Sequence, residues 1–161
     1  MWIVLYVEDE EDDVYFMRRS FCRAGLEECL KTVADGQAAI DYLSGCGLFA
    51  NRLIYPMPAV VLLDLNLPTV SGFQVLTWIR QQPEFQDLPV IIFSSSARGE
   101  DRLRAKELGA SDYMEKPDSG MDFGTVVAVL QQKWSTRPVA NGRYAPPITA
   151  SAAAARLPVG P

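Results

Sequence analysis

Short apolar runs alternate along this chain with longer stretches whose apolar residues recur every three to four positions. Ile3–Val7 is an unbroken apolar run with β-branched and aromatic members, ended by acids, and reads as a buried strand. From Asp12 to Ala24, the residues Val14, Met17, Phe21 and Ala24 fall at helical spacing, and Gly25 follows as a C-terminal stop. A weaker strand spans Leu30–Val33, and a helix runs through Ala38, Ile40 and Leu43 to Gly45. Ala59–Leu65, AVVLLDL, is the strongest strand, of the kind that both faces of a parallel sheet cover. Ser71 caps the next helix, with Phe73, Leu76 and Ile79 inward and Pro83 beyond its end. Pro89–Phe93 predicts a fourth strand, Glu100–Leu108 a helix stopped by Gly109, and Tyr113–Glu115 a short fifth strand. The last helix has Asp122 as its cap and Phe123, Val126, Val127, Leu130 and Trp134 on one face.

Five strands alternating with five helices predict an α/β fold with a doubly wound, five-stranded parallel sheet. Right-handed crossovers put helices on both faces. In the flavodoxin-like order 2-1-3-4-5 the first and third strands are neighbours, and a crevice opens at their carboxyl ends. The stretch 46–58 is longer than the ~2–6 residues such a connection needs, and reads as an insertion. From residue 135 the character changes: five prolines, an AAAA run, three arginines and no acid. That composition buries too little apolar surface to offset ordering, so residues 1–134 read as the domain and 135–161 as a flexible tail. The tail is too short for a DNA-binding unit.

Composition narrows the functions. A net charge of -5 disfavours a nucleic-acid surface, which needs clustered Lys and Arg. The opening MWIVLYV runs straight into EDEEDD. It is too short and wrongly flanked for a secretion signal and far too short for a membrane span, so the expected location is cytoplasmic. Cys22, Cys29 and Cys46 lack metal-ligand spacing and read as small buried hydrophobes in a reducing compartment. The absence of histidine removes His-based metal sites and Ser-His-Asp triads.

The predicted sheet collects chemistry at its carboxyl ends. Glu8 and Asp9 follow the first strand, and Asp64 sits near the end of the third. Crowded carboxylates repel one another and call for a cation or a proton, and Mg²⁺ suits an all-oxygen donor set. Taken singly, the acid run Glu8–Asp13 also reads as a solvated helix start, and Asp64 as a turn cap. Ser94 is either a hydroxyl donor or a turn former. Lys116 is either a solvated strand-end lysine or a point charge on the acids, and Pro117 after it leaves a cis bond open.

In this order, YVEDE, VVLLDLNLPTVSG, PVIIFSSS and YMEKP resemble the receiver domain of two-component response regulators, over residues 2–134. The resemblance implies that Asp64 accepts a phosphoryl group from a phosphohistidine on a sensor kinase. It implies that Asp9 binds Mg²⁺ directly, Glu8 acts beside it through water, and the backbone carbonyl of Asn66 is a further ligand. Lys116 would contact the phosphoryl oxygens, Ser94 would move to hydrogen-bond them, and Tyr113 would turn inward behind it. Tyr113 also has an ordinary reading, as a β-former half-buried on an edge strand. The family's output face is the fourth helix, fifth strand and fifth helix. Such a protein is a signalling phosphoacceptor rather than an enzyme, with self-catalysed phosphorylation and dephosphorylation at most.

Glu8 departs from the commoner Asp, a longer carboxylate that still serves through water, while the 46–58 insertion, ADGQAAIDYL and the lack of an output domain resemble the single-domain regulators of bacterial phytochrome kinases. That implies a photoreceptor-type sensor histidine kinase as partner, a downstream protein or histidine phosphotransfer protein as receiver of the signal, and a homodimer in some relatives. Three other readings compete. DLNLPT resembles the nucleophile motif of haloacid-dehalogenase phosphatases, but Asn66 stands where that chemistry needs a second Asp as general acid. A docking module that is never phosphorylated needs none of the acids. A flavin carrier needs a Ser/Thr/Gly-rich phosphate loop where EDEEDD stands.

Overall fold

Strands with no polar side chain can be stable only where both faces are covered, and the chain meets that condition by parallel stacking. The computed structural model describes residues 1–118 and 123–136, and the backbone of 139–140 and 143–144. The elements run β1 (Val4–Val7), α1 (Glu11–Arg23), β2 (Leu30–Val33), α2 (Gly36–Ser44), β3 (Val60–Leu63), α3 (Gly72–Gln81), β4 (Val90–Ser94), α4 (Gly99–Glu107), β5 (Asp112–Glu115) and α5 (Gly124–Trp134). The sheet is parallel throughout, in the order β2-β1-β3-β4-β5. Alternate strand residues point to opposite faces. Leu5, Val7, Val61, Leu63 and Ile92 pack with Ala39 and Leu43 of α2 and Val75, Leu76 and Ile79 of α3. Val4, Tyr6, Leu62, Ile91 and Phe93 pack with Met17 and Phe21 of α1 and Val126, Val127 and Leu130 of α5. No helix among the described residues is long and apolar enough to cross a membrane.

The structure adds local detail and corrects some expectations. On α2 the inward residues are Ala39, Tyr42 and Leu43, while Ala38 and Ile40 are half-buried. Ala24 is exposed, because it is the C-cap of α1 rather than part of its buried stripe. Only Cys29 is buried; Cys22 and Cys46 are exposed. The Lys116–Pro117 bond is trans. The Asp122 cap and most of the expected tail lie outside the described residues. Within the tail, β6 (Val139–Ala140) pairs antiparallel with β7 (Arg143–Tyr144), which no apolar pattern announces.

The insertion 46–58 is tied down. The Arg52 guanidinium donates to the carbonyls of Tyr42 at 2.7 Å and Leu43 at 2.6 Å, at the C-terminal end of α2 where carbonyls lack helical partners. Tyr42 Oη donates to the Pro56 carbonyl at 2.9 Å, and the rings of Tyr42, Phe49 and Tyr55 pack edge to face or tilted.

Gly72 sets how closely α3 approaches the end of β3. A Cβ on it would lie 2.1 Å from the Asp64 carbonyl oxygen and 2.8 Å from Leu65 Cα. Backbone cannot swing aside as a side chain does. Gly72→Ala is therefore expected to lower stability by about 1–3 kcal/mol, as overpacking does, measured by denaturant unfolding. A variant as stable as the parent would show that this approach is not a tight one.

Candidate functional site: an acidic pocket at the strand ends

The parallel register of β1 and β3 puts Val7 opposite Leu63, so the residues that follow each strand emerge side by side. Asp64 N–H donates to the Val7 carbonyl at 3.1 Å, and Glu8 N–H to the Val33 carbonyl at 3.0 Å. Carboxylate oxygens of Glu8, Asp9 and Asp64 all lie within 4.8 Å of one another. The fifth strand adds Lys116, whose backbone N–H donates to the Ser94 carbonyl at 2.9 Å.

Each carboxylate has a different surrounding. Glu8 Oε1 accepts the Glu10 N–H at 3.0 Å, and Oε2 accepts the Tyr6 hydroxyl at 3.0 Å and the Lys116 ammonium at 2.5 Å. Asp64 Oδ1 accepts the Leu65 N–H at 2.8 Å, while Oδ2 lies 3.5 Å from Lys116 Nζ. Asp9 Oδ1 is sealed from solvent and has no hydrogen-bond partner. A buried carboxylate oxygen left so is costly unless a cation meets it. Hard oxygen donors this close suit a divalent ion, so the donor set fits Mg²⁺.

Burial pushes the Glu8 carboxyl above its ordinary value, against the opposing pull of the Lys116 hydrogen bond. Burial also raises Asp64, with Lys116 and the backbone N–H groups of Leu65 and Asn66 opposing it. Burial alone would depress the Lys116 ammonium, but hydrogen bonds to Glu8 and Asp13 and the charge of Asp64 outweigh it and hold the group above its usual value. Lysine is therefore the fixed positive charge of the pocket. Asp64 is only 4% exposed.

The remaining predicted residues line the same end of the sheet. Ser94 is the last residue of β4 and wholly buried, and its Oγ accepts the Ser96 N–H at 3.1 Å. Tyr113 on β5 donates its hydroxyl to the Ser96 carbonyl at 2.8 Å. The Arg102 guanidinium lies 4.6 Å from the centre of its ring. Tyr113 and Ser94 thus converge on one short loop between β4 and α4. Asn66 is exposed two residues after Asp64.

Two residues of the pocket went unnoticed in the sequence. Tyr6 had a readable signal: a buried strand tyrosine needs a partner for its hydroxyl, and the next residue on its face is Glu8. Asp13 had none. It sits on the first turn of α1, where acids usually serve the helix dipole, yet its Oδ2 accepts from Lys116 Nζ at 2.9 Å.

Comparison with known proteins points one way. Residues 4–127 match the family described as response regulator receiver domain. The chain is 32% identical over 136 residues to the probable methanogenesis regulatory protein FilR2 of Methanothrix harundinacea, covering 83% of each. It is 30% identical over 132 residues to the response regulator Rcp1 of Synechocystis, covering 82% of this chain and 88% of that one. The crystal structure of the Mn(2+)-bound form of Rcp1 aligns with a TM-score of 0.73 at 29% identity, over 83% of this chain and 94% of that one. The response regulator RPA3017, from red light signaling of R. palustris, aligns with a TM-score of 0.77 at 33% identity, over 84% of this chain and 95% of that one.

Proposed function

Since the chain belongs to the response regulator receiver domain family, we propose that it is a phosphoacceptor switch in which Asp64 takes a phosphoryl group from a phosphohistidine of a sensor kinase. One observation carries this reading: Asp64 directly follows a central strand, with a carboxylate oxygen within 4.8 Å of those of Glu8 and Asp9 and its Oδ2 3.5 Å from the ammonium of Lys116. In the transfer, an Asp64 oxygen forms a bond to phosphorus. The P–N bond breaks, and its electron pair stays with the imidazole nitrogen of the kinase, which then holds a proton from solvent.

Phosphoryl transfer asks a protein mainly for position and charge neutralisation. Asp9, Asp64 and the Asn66 carbonyl would hold Mg²⁺, with Glu8 acting through water because hydrogen bonds already engage both its oxygens. Bound there, the ion supplies a counter-charge for the phosphoryl oxygens. Lys116 would give those oxygens a charge-assisted hydrogen bond. The new group carries roughly -1.5 to -2 charge, and a conformational response needs contacts that differ between the two states. The Ser94 hydroxyl would supply one by leaving the Ser96 N–H for the phosphoryl group. Tyr113, bonded to the same loop, would feel that change.

The likeness to a red light regulator supports a phytochrome-type histidine kinase as the donor. A downstream docking protein, a histidine phosphotransfer protein or a second copy of the chain would read the result, in the cytoplasm.

Incubation with Mg²⁺ and a small acyl phosphate, followed by intact-mass analysis, tests the reading. One phosphoryl group should add in the presence of Mg²⁺ and none after chelation. No uptake under either condition would leave a docking module in its place.

A further inference from the structure

The Lys116 ammonium has three N–H groups to give. Glu8 Oε2 takes one at 2.5 Å and Asp13 Oδ2 another at 2.9 Å, while Asp64 Oδ2 stays at 3.5 Å, beyond a good hydrogen bond. The charge that a phosphoryl group on Asp64 would need is thus turned toward the α1 side of the pocket. Asp13 belongs to the first turn of α1, and none of the roles implied by the family resemblance falls on it.

We propose that Asp13 is a positioning residue that parks Lys116 away from Asp64 in the resting protein, so that an anion arriving at Asp64 binds at the expense of the Asp13–Lys116 contact. This rests on the phosphoacceptor reading. An anion on Asp64 draws the ammonium toward its own oxygens. The Asp13 contact then belongs to the resting state alone, and an interaction made in one of two states biases the balance toward that state. Asp13 is the natural place for such a bias. Its side chain is 29% exposed, so water can replace the lysine there, whereas Glu8 is buried and cannot release its partner so cheaply.

Beryllofluoride, a phosphoryl mimic, tests the proposal without a kinase. Its affinity in Mg²⁺ is measured by calorimetry at constant ionic strength for the parent chain, Asp13→Asn, Asp13→Glu and Asp12→Asn. Asp12 is exposed on the same turn, so its substitution removes the same formal charge. Asp13→Asn is expected to bind about fivefold more tightly, the scale of one hydrogen bond that the resting state no longer makes. Asp12→Asn should stay near the parent, and Asp13→Glu should return toward it by restoring the carboxylate. Unchanged or weaker binding by Asp13→Asn, with its thermal melt intact, overturns the parking role. So does equal tightening by Asp12→Asn, which would make the effect one of net charge. If the parent chain itself takes up no beryllofluoride, the phosphoacceptor reading fails first and carries this proposal down with it.

Discussion

Asp64→Asn should abolish phosphoryl uptake and, at the same time, raise the melting temperature of the metal-free protein. The first effect follows from chemistry: an amide has no anionic oxygen to attack phosphorus, and the other strand-end carboxylate against Lys116, that of Glu8, already has both oxygens in hydrogen bonds. The second follows from burial. Desolvation is the largest influence on the Asp64 carboxyl and raises its pKa above the unfolded value despite Lys116 and two backbone N–H groups. A carboxyl with a raised pKa holds its proton longer in the folded state than in the unfolded one. Stability therefore falls as pH climbs from the unfolded pKa through the folded one, and the loss persists at neutral pH. Asparagine is neutral throughout and escapes that loss, while Lys116 keeps Glu8 and Asp13 as partners. The gain should be a few degrees near pH 7 and should vanish below about pH 3.9, where the parent carboxyl is protonated in both states. Intact-mass analysis reads the first effect and scanning calorimetry across pH the second. Labelling of the variant equal to the parent would remove Asp64 from the acceptor role. A melting temperature lower than the parent's would show that Asp64 is held as a favourable ion pair.

Lys116→Met carries the largest expected loss of stability. The side chain of Lys116 is 9% exposed and serves three acids from three elements: Glu8 and Asp64 at the ends of β1 and β3, and Asp13 on α1. Methionine fills much of the same volume, so the change is chiefly one of charge. Removing one partner from a buried charge network leaves the others uncompensated, at a cost of about 3–5 kcal/mol. Two conditions should shrink that deficit. Mg²⁺ bound to the folded acids would stabilise by mass action, so it should recover more in the variant than in the parent. Acid should help as well, because without the ammonium the clustered carboxyls take up protons at higher pH. The variant's deficit is then fully present at neutral pH and closes as pH falls through the carboxylate range. Urea unfolding at neutral and mildly acid pH, each with and without Mg²⁺, measures all of this. A deficit below about 1 kcal/mol, the scale of an exposed ion pair, would mean that the pocket is not organised around the lysine.

Much of the frame was readable without coordinates. The runs Ile3–Val7, Ala59–Leu65 and Pro89–Phe93 read as strands covered on both faces, since Asp64 near the end of the second is the one charged residue in them, and each matches an observed strand to within a residue or two. Ser71 and Gly45 marked helix ends by chemistry that works locally: a side-chain oxygen on the Gln74 N–H, and a left-handed φ of 68°. The errors have a common source. On α2 the sequence named Ala38, Ile40 and Leu43 without a buried face, and Tyr42 is buried there because the 46–58 insertion covers it and gives its hydroxyl the Pro56 carbonyl. Cys22 and Cys46 were placed inside by residue type, and the surface of each depends on what packs nearby.

Periodicity and capping, which act over a few residues, determined the strands, the helices and the residues that stand at their carboxyl ends. Which of the six consecutive acids from Glu8 to Asp13 would face Lys116 was a different kind of question. Asp13 and Lys116 are 103 residues apart, and they meet because α1 rolls its first turn toward the end of β5 as its buried face, Met17 and Phe21, seats on the sheet. Only the packed structure carries that information, since a long-range contact is set by how whole elements dock and leaves no trace in the spacing of either residue.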